Sequence, residues 1–304
     1  MIDHSWVRHS LTGPVSSLRT PFRPDGNIDV DGLRQQIDFN VEAGSRTMLL
    51  TAGDSHYIAL SDEDIAYVTQ VTVEHTDGRA MVVAAERYFS TSRAIDFADH
   101  CKGIGVDILM LMPPDWAGSC TPETLTEHYA AVAEHIPVMV VTNVFSPRGE
   151  AFGLRTCELA LQTSDNIVAI KDDMCGPFAR KMGILVHDKW AVIAGGQKQN
   201  HLNAHPYGCD GYLSTFITFK PEIAHRYWAA IESDDLSQAS HIVRDFDLPF
   251  FELIMGMPGG FDAGIHGVLE LFGICQRWRR PPYYSLNDGD MDRLASGLQD
   301  LGIL

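Results

Sequence analysis

The sequence lacks the positively charged segments that bind nucleic acids or anionic membranes. It contains 23 lysine and arginine residues against 40 aspartate and glutamate residues, which gives a formal net charge of −17 at pH 7. Binding to phosphate groups needs basic patches, and no run rich in lysine or arginine is present. We therefore expect neither a nucleic acid nor a membrane surface as a partner.

Long apolar segments are also missing, and we expect the first residues not to be a signal peptide. No stretch approaches the roughly 20 apolar residues that a membrane-spanning helix requires. The first residues, Met1 to Trp6, lack the basic segment and apolar core of a signal peptide. These absences predict a cytoplasmic protein.

Cysteine is sparse, and its spacing indicates neither a disulfide framework nor a zinc site. His201 and His205 have the i, i+4 spacing of two metal ligands on one helix face, but no third ligand accompanies them at a suitable spacing. We therefore predict reduced thiols and no metal or other cofactor. The six cysteines are scattered, at Cys101, Cys120, Cys157, Cys175, Cys209 and Cys275.

Short apolar segments alternate with amphipathic ones along most of the chain. Eight strand-then-helix units indicate a parallel sheet, and eight is the number that closes into a (β/α)8 barrel. An open doubly wound sheet is the alternative, although no Gly-x-Gly-x-x-Gly follows the first strand. The predicted strands are Pro14–Leu18, Thr47–Thr51, Met81–Ala85, Ile108–Met112, Val138–Asn143, Ile167–Lys171, Trp190–Ala194 and Gly211–Thr215. The predicted helices are Val30–Ala43, Ser61–His75, Arg93–Gly103, Pro122–His135, Gly153–Thr163, Gly176–Leu185, Asn200–Tyr207 and Lys220–Ser233.

The last part of the chain changes to helices without strands. We predict that residues 1–233 form the barrel and that residues 234–304 form a helical segment packed on it. The helices predicted in this segment are Leu236–Asp245, Phe250–Met255, Gly264–Leu271 and Asp290–Leu301.

Lys171 ends the sixth predicted strand, directly after the apolar residues Val168 to Ile170. The active site of a (β/α)8 barrel lies at the C-terminal ends of its strands, so Lys171 is predicted at the barrel mouth. A lysine held in an apolar pocket has a lowered pKa, and its neutral amine can attack a carbonyl to form a Schiff base. An exposed lysine just past a strand is the alternative interpretation.

Several segments give the chain a family resemblance. They are Thr20-Pro21-Phe22, Asp25 to Asp29, Gly53 to Leu60 with Ser61-Asp62-Glu63, Val168 to Lys171, Gly195-Gly196 and Gly211 to Ser214. On these segments the chain resembles the superfamily of dihydrodipicolinate synthase and N-acetylneuraminate lyase, which are class I, Schiff-base aldolases and lyases. The resemblance implies a (β/α)8 barrel with a C-terminal helical segment, a homotetramer or homodimer, and an imine between Lys171 and pyruvate or another small 2-oxo acid. It also implies substrate binding by Asp54, Ser55, Gly196, Leu213 and Ser214.

The chain departs from the family pattern where the family places its acid–base groups. Thr142 stands where the family has a tyrosine that relays protons, and a threonine hydroxyl is by itself a poor general acid or base. We expect Thr142 to orient a water instead. Asp54 replaces a hydroxyl residue of the carboxylate-binding loop, and an ionised Asp54 repels a substrate carboxylate. The second tyrosine of the synthases is also missing, so a true dihydrodipicolinate synthase is not expected.

Another side chain is needed to supply acid–base chemistry, and we propose Glu86, Tyr88 or His56. Each also has a structural interpretation. These are a surface pair with Arg87 for Glu86, a cap on the barrel for Tyr88 and a hydrogen bond within the loop for His56.

Two functions remain open. The first is a lyase, aldolase or dehydratase in which Lys171 forms an imine with a small 2-oxo acid or a sugar-acid derivative. The second is a non-catalytic or regulatory ligand-binding relative that has lost the tyrosine proton relay. A replacement acid or base within hydrogen-bond reach of Lys171 separates the two, and Glu86, His56 and Asp54 are the candidates for it.

Overall fold

The computed structural model describes residues 2–304, and within them eight parallel strands form a closed barrel. Each strand pairs with the next, and the last pairs with the first. The predicted (β/α)8 fold is therefore confirmed, and the open sheet is wrong. The strands are β1 Gly13–Ser17, β2 Thr47–Leu49, β3 Met81–Ala85, β4 Ile108–Leu111, β5 Val138–Val141, β6 Ile167–Asp172, β7 Ala191–Ala194 and β8 Gly211–Leu213.

Most strand residues are apolar on both faces, because the barrel interior covers one face and the helices cover the other. Every strand residue except the half-buried Pro14 is buried. Five of the strands end earlier than predicted, since the residues at their C-terminal ends already turn into the loops of the barrel mouth. These loops carry the candidate site.

Residues 2–304 contain thirteen α-helices, and each predicted helix overlaps one of them. The helices are α1 His4–Leu11, α2 Val30–Glu42, α3 Asp62–Thr76, α4 Thr91–Ile104, α5 Pro122–Ala133, α6 Glu150–Thr163, α7 Gly176–Val186, α8 Gln197–Ala204, α9 Pro221–Glu232, α10 Leu236–Ile242, α11 Leu248–Met255, α12 Gly260–Leu271 and α13 Asp288–Asp300. A π-helical segment, Val243–Asp247, joins α10 to α11. None of the helices in the described range is long and apolar enough to cross a lipid bilayer.

The helix α1 lies outside the predicted helices and packs against β6 and β7. This short helix buries only Val7, Ser10 and Leu11, so its apolar pattern is weak. Its Arg8 donates to the Asp210 carboxylate and to the Trp190 carbonyl. Both acceptors immediately precede a barrel strand, which places α1 at the end of the barrel opposite the mouth.

The C-terminal helices pack on the barrel through aromatic and ionic contacts. The Phe250 ring lies 4.8 Å from that of Phe216, and Asp247 accepts a hydrogen bond from Lys198. The segment that precedes α13 passes across the barrel mouth, and there Arg279 contacts His56. The C-terminal segment therefore contributes side chains to the region around the strand ends.

Candidate functional site

Lys171 lies at the C-terminal end of β6, between Val141 of β5 and Ile193 of β7. Its side chain is only 8% exposed, so it is not a surface lysine. It forms part of the wall of a cavity of about 240 Å³ at the barrel mouth. The cavity is lined by Thr51, Ala52, Gly53, Asp54, Met110, Met112, Val141, Asn143, Lys171, Asp173, Gly195 and Leu213. We call it the lysine cavity.

The carboxylate that contacts the Lys171 amine is Asp173, a residue outside the predicted site. The Lys171 Nζ donates to the Asp173 Oδ1 over 2.5 Å. Gly195 makes room for this carboxylate, because a Cβ atom at position 195 would lie 1.8 Å from the Asp173 Oδ1. The sequence feature that could have indicated Asp173 is its position two residues after the lysine, directly after the end of β6.

Thr142 does not line the lysine cavity, and its hydrogen bonds run to the loop after β6. Its buried hydroxyl donates to the Asp172 Oδ1 over 3.0 Å. The same hydroxyl accepts from the amides of Asp173 and Met174, over 2.7 and 3.2 Å. Because a hydroxyl has a single hydrogen, this proton is already committed. The expectation that Thr142 orients a water toward Lys171 is therefore not supported, and Thr142 instead fixes the loop that carries Asp173.

Asp54 and Leu213, two of the five predicted substrate-binding residues, line the lysine cavity, but the charge of Asp54 is partly compensated. Its carboxylate accepts a hydrogen bond from the Ser17 hydroxyl and lies 3.7 Å from Nη2 of Arg19. Arg19 is buried, and its Nε and Nη1 have no partner among the described residues. This positive neighbour weakens the repulsion that Asp54 exerts on a substrate carboxylate.

Ser55, Gly196 and Ser214 do not line the lysine cavity. The Ser55 hydroxyl donates to the Leu18 carbonyl over 2.6 Å and so ties the loop after β2 to the loop after β1. The Asn200 side chain covers Gly196. The Ser214 hydroxyl accepts from a backbone amide within its own loop. The direct substrate contacts predicted for these three residues are therefore not supported.

A second cavity of about 250 Å³ adjoins the lysine cavity and shares four of its lining residues. We call it the distal cavity. The shared residues are Ala52, Gly53, Met112 and Asn143. Its remaining wall is formed by His56, Ile58, Arg87, Tyr88, Asp262 and Tyr283. His56 and Tyr88, both predicted as acid–base groups, therefore lie in this second compartment.

His56 belongs to an ionic cluster at the wall of the distal cavity. Its ring accepts a hydrogen bond from the Arg279 guanidinium, and the Asp262 carboxylate lies 3.4 Å from Arg279. Burial, assisted by the charge of Arg279, lowers the pKa of His56 to about 3. The histidine is therefore neutral near pH 7, and its acceptor nitrogen already takes a hydrogen bond from Arg279.

Glu86 is fully buried and lines neither cavity. Its carboxylate accepts hydrogen bonds from the amides of Phe89 and Met112, so it ties the loops after β3 and β4 together. Burial raises the pKa of Glu86 to about 8. The predicted role of Glu86 as the acid–base partner of Lys171 is not supported by this position.

Residues 2–304 contain no group of three histidine, cysteine, aspartate or glutamate side chains arranged to hold a metal ion. The His201 ring bonds to the Tyr227 hydroxyl over 2.8 Å and is buried. A larger cavity of about 730 Å³ lies beside α1 and is lined by residues that include Arg8 and Lys189. It lies at the end of the barrel opposite Lys171, whereas catalytic groups of (β/α)8 barrels come from the C-terminal strand ends.

Comparison with known proteins provides independent information about this arrangement. A sequence model described as "Dihydrodipicolinate synthetase family" matches residues 10–301. A 4-hydroxy-tetrahydrodipicolinate synthase from Ruthia magnifica subsp. Calyptogena magnifica is 30% identical to this chain, over 98% of the chain and 99% of the relative. A probable 5-dehydro-4-deoxyglucarate dehydratase 1 from Streptomyces coelicolor is 27% identical, over 80% of this chain and 78% of its own.

Solved structures share the fold. The crystal structure of N-acetylneuraminate lyase from Fusobacterium nucleatum superposes with a TM-score of 0.85 at 15% identity, over 96% of this chain and 99% of that one. A dihydrodipicolinate synthase from Oceanobacillus iheyensis superposes with a TM-score of 0.83 at 20% identity, over 99% of this chain and 100% of that one.

Proposed function

Because the chain belongs to the Dihydrodipicolinate synthetase family, we propose that it is a Schiff-base-forming lyase, aldolase or dehydratase acting on a small 2-oxo acid. The observation that carries the proposal is the position of Lys171. Its amine is nearly buried at the end of β6, in the wall of the lysine cavity, with a carboxylate in contact. An amine in such a site can attack a ketone, and the protonated imine then acts as an electron sink for carbon–carbon cleavage, condensation or loss of water.

The loop after β2 offers groups for the substrate carboxylate. The amides of Ala52 and Gly53 donate to no backbone carbonyl in residues 2–304, and both residues line the two cavities. Backbone amides in a turn are effective donors to anions. We therefore assign the carboxylate of the 2-oxo acid to this turn, in place of the hydroxyl contacts that Ser55 cannot make.

The distal cavity favours a substrate longer than pyruvate. Its lining residues include the polar side chains of Asn143, Asp262 and Tyr283, which suit the hydroxyl groups of a sugar-acid chain. The similarity to a dehydratase named for 5-dehydro-4-deoxyglucarate supports the same substrate class. The altered residues Asp54 and Thr142 argue against a true dihydrodipicolinate synthase.

Borohydride trapping tests the proposal. The protein is incubated with pyruvate or with 2-oxo acids derived from C5 and C6 sugar acids, reduced, and analysed by peptide mass spectrometry. We expect an adduct on Lys171 that is absent in Lys171→Arg, since arginine keeps the positive charge beside Asp173 but does not form an imine. Lys189→Ala, which changes an exposed lysine, serves as the control and should retain the adduct.

Two results would contradict the proposal. The first is the absence of any adduct from folded protein with every 2-oxo acid of the panel. The second is an adduct that persists in Lys171→Arg.

A non-catalytic or regulatory ligand-binding relative is the second candidate, and the committed hydroxyl of Thr142 favours it. An adduct that forms with longer 2-oxo acids without any product in NMR time courses would support this candidate. We also propose that the chain forms a homodimer or homotetramer, which sedimentation velocity would detect.

A further inference from the structure

We propose that Asp173 is the catalytic acid–base group of the Schiff-base site, in the role that the missing tyrosine leaves open. This inference rests on the proposed function of Lys171. The first observation that supports this inference is a direct contact between the two side chains. The Asp173 Oδ1 lies 2.5 Å from the Lys171 Nζ. A group that transfers a proton has to lie within hydrogen-bond reach of the atom it serves, and Asp173 meets this condition.

The surroundings of Asp173 hold its carboxylate in this position. Thr142 accepts a hydrogen bond from the Asp173 amide over 2.7 Å, which fixes the backbone of the loop. Gly195 leaves the space that the carboxylate occupies. The Asp173 side chain remains 26% exposed and lines the lysine cavity, so it faces the space where a substrate would lie.

The nearby carboxylates are committed elsewhere. Asp172 accepts from the Thr142 hydroxyl and from the amides that follow it in the loop. Asp54 also lines the cavity, but its partners are Ser17 and Arg19.

Of the other acid–base candidates, Tyr88 lines the distal cavity and not the lysine cavity, and Glu86 and His56 have other partners. Glu86 accepts from two backbone amides outside both cavities, and His56 accepts from Arg279 in the distal cavity. Among the described residues that line the lysine cavity, Asp173 is thus the carboxylate whose side chain bonds to Lys171 and to no other side chain.

The chemical step can be written with these two side chains. Asp173 accepts a proton from the Lys171 ammonium, and the neutral amine forms a carbon–nitrogen bond with the ketone carbon. One of the two protons left on this nitrogen then moves to the former ketone oxygen, and the intermediate becomes a neutral carbinolamine. Asp173 then donates its proton to the carbinolamine hydroxyl, which leaves as water while the carbon–nitrogen double bond forms. The products are a protonated imine, one water and the Asp173 carboxylate beside the positive charge.

The test measures the rate at which the Lys171 adduct forms, with cyanoborohydride in excess so that imine formation limits the rate. Asp173→Asn removes the basic carboxylate and keeps the size of the side chain. We expect it to slow adduct formation by about 100-fold or more, in the range typical of a lost general acid–base. Asp165→Asn, which changes an exposed aspartate beside Lys189, should leave the rate unchanged.

Chemical rescue separates proton transfer from simple positioning. Asp173→Ala leaves a space beside Gly195, and added formate can place a carboxylate there. We expect formate to restore at least about a tenth of the wild-type rate in Asp173→Ala and to have no effect in Asp173→Asn, where the amide fills the space. Circular dichroism of each variant verifies the fold.

The outcomes keep the two proposals apart. If the wild type forms no adduct, the proposed function fails and this inference fails with it. If the wild type forms the adduct while Asp173→Asn forms it within a few-fold of the same rate, the inference is overturned and the proposed function stands. A slow Asp173→Ala variant that formate does not accelerate also overturns it, since Asp173 then acts only by holding the lysine in place.

Discussion

Removal of one member of the buried ion pair Lys198–Asp247 is expected to destabilise the protein strongly. The Lys198 Nζ, on α8, donates to the Asp247 Oδ1 over 2.6 Å, and the side chains are 0% and 1% exposed. The ammonium also lies 4.2 Å from the centroid of the Phe216 ring. Burial lowers the pKa of Lys198 and raises that of Asp247, while their mutual attraction opposes both shifts. The pair connects the barrel to the C-terminal helices.

The expected loss in the free energy of unfolding depends on which charged group remains buried after each substitution. Lys198→Met keeps an unbranched apolar stem but leaves the Asp247 carboxylate buried without its counter-ion, and its Oδ2 already lacks a partner among the described residues. Breaking such a pair costs about 3–5 kcal/mol, a large part of the roughly 5–15 kcal/mol by which folded proteins are stable. The double variant Lys198→Met/Asp247→Leu removes both charges and should lie close to the wild type.

Urea unfolding at one fixed protein concentration, followed by tryptophan fluorescence, measures these differences. Lys189→Met provides the matched control, because it breaks the exposed pair with Asp165 and should change stability little. The reasoning is refuted if Lys198→Met lies within about 1 kcal/mol of the wild type, contrary to the cost of an unpaired buried charge. It is also refuted if the double variant is no more stable than the single one.

Three further results are expected. Gly195→Ala should displace the Asp173 carboxylate and slow Lys171 adduct formation with little change in circular dichroism. An unchanged rate would contradict the role of Gly195 in making room for this carboxylate. Glu86 keeps its proton in the folded state up to pH about 8 but loses it near pH 4.5 when unfolded. Its contribution to stability therefore falls with rising pH between these values, by about 1.4 kcal/mol per unit, and urea titrations of Glu86→Gln should lack this component. Burial lowers the pKa of His201 to about 3, so the folded state resists protonation that the unfolded state accepts below about 6.5. The free energy of unfolding of the wild type should therefore fall more steeply than that of His201→Asn on acidification from pH 6 to pH 4, by about 1.4 kcal/mol per pH unit. If the two proteins lose stability at the same rate with pH, this contribution of His201 is excluded.

The sequence alone determined the architecture of this protein and the position of Lys171. Strands buried on both faces read as continuous apolar runs and helices as amphipathic stretches, so their alternation predicted the barrel. Because Lys171 ends such a run, its place at the barrel mouth followed from the fold class. The resemblance to the family rested on motifs of adjacent residues, and it is confirmed. The helix α1 could not be predicted, because its apolar pattern is short and the helix is stabilised by packing against the end of the barrel.

Only the tertiary structure decided which polar side chains surround the lysine. The charge of Asp54 is compensated by Arg19, and the Thr142 hydroxyl forms hydrogen bonds within the loop that carries Asp173. Arg279 reaches His56 from 223 residues away in the chain. The direction of each side chain depends on loop geometry and on partners contributed by distant segments, and hydrogen bonds form only within about 3 Å. Residue type and spacing along the chain carry no such distances, so Asp173 emerged as the partner of Lys171 only when the loops were brought together.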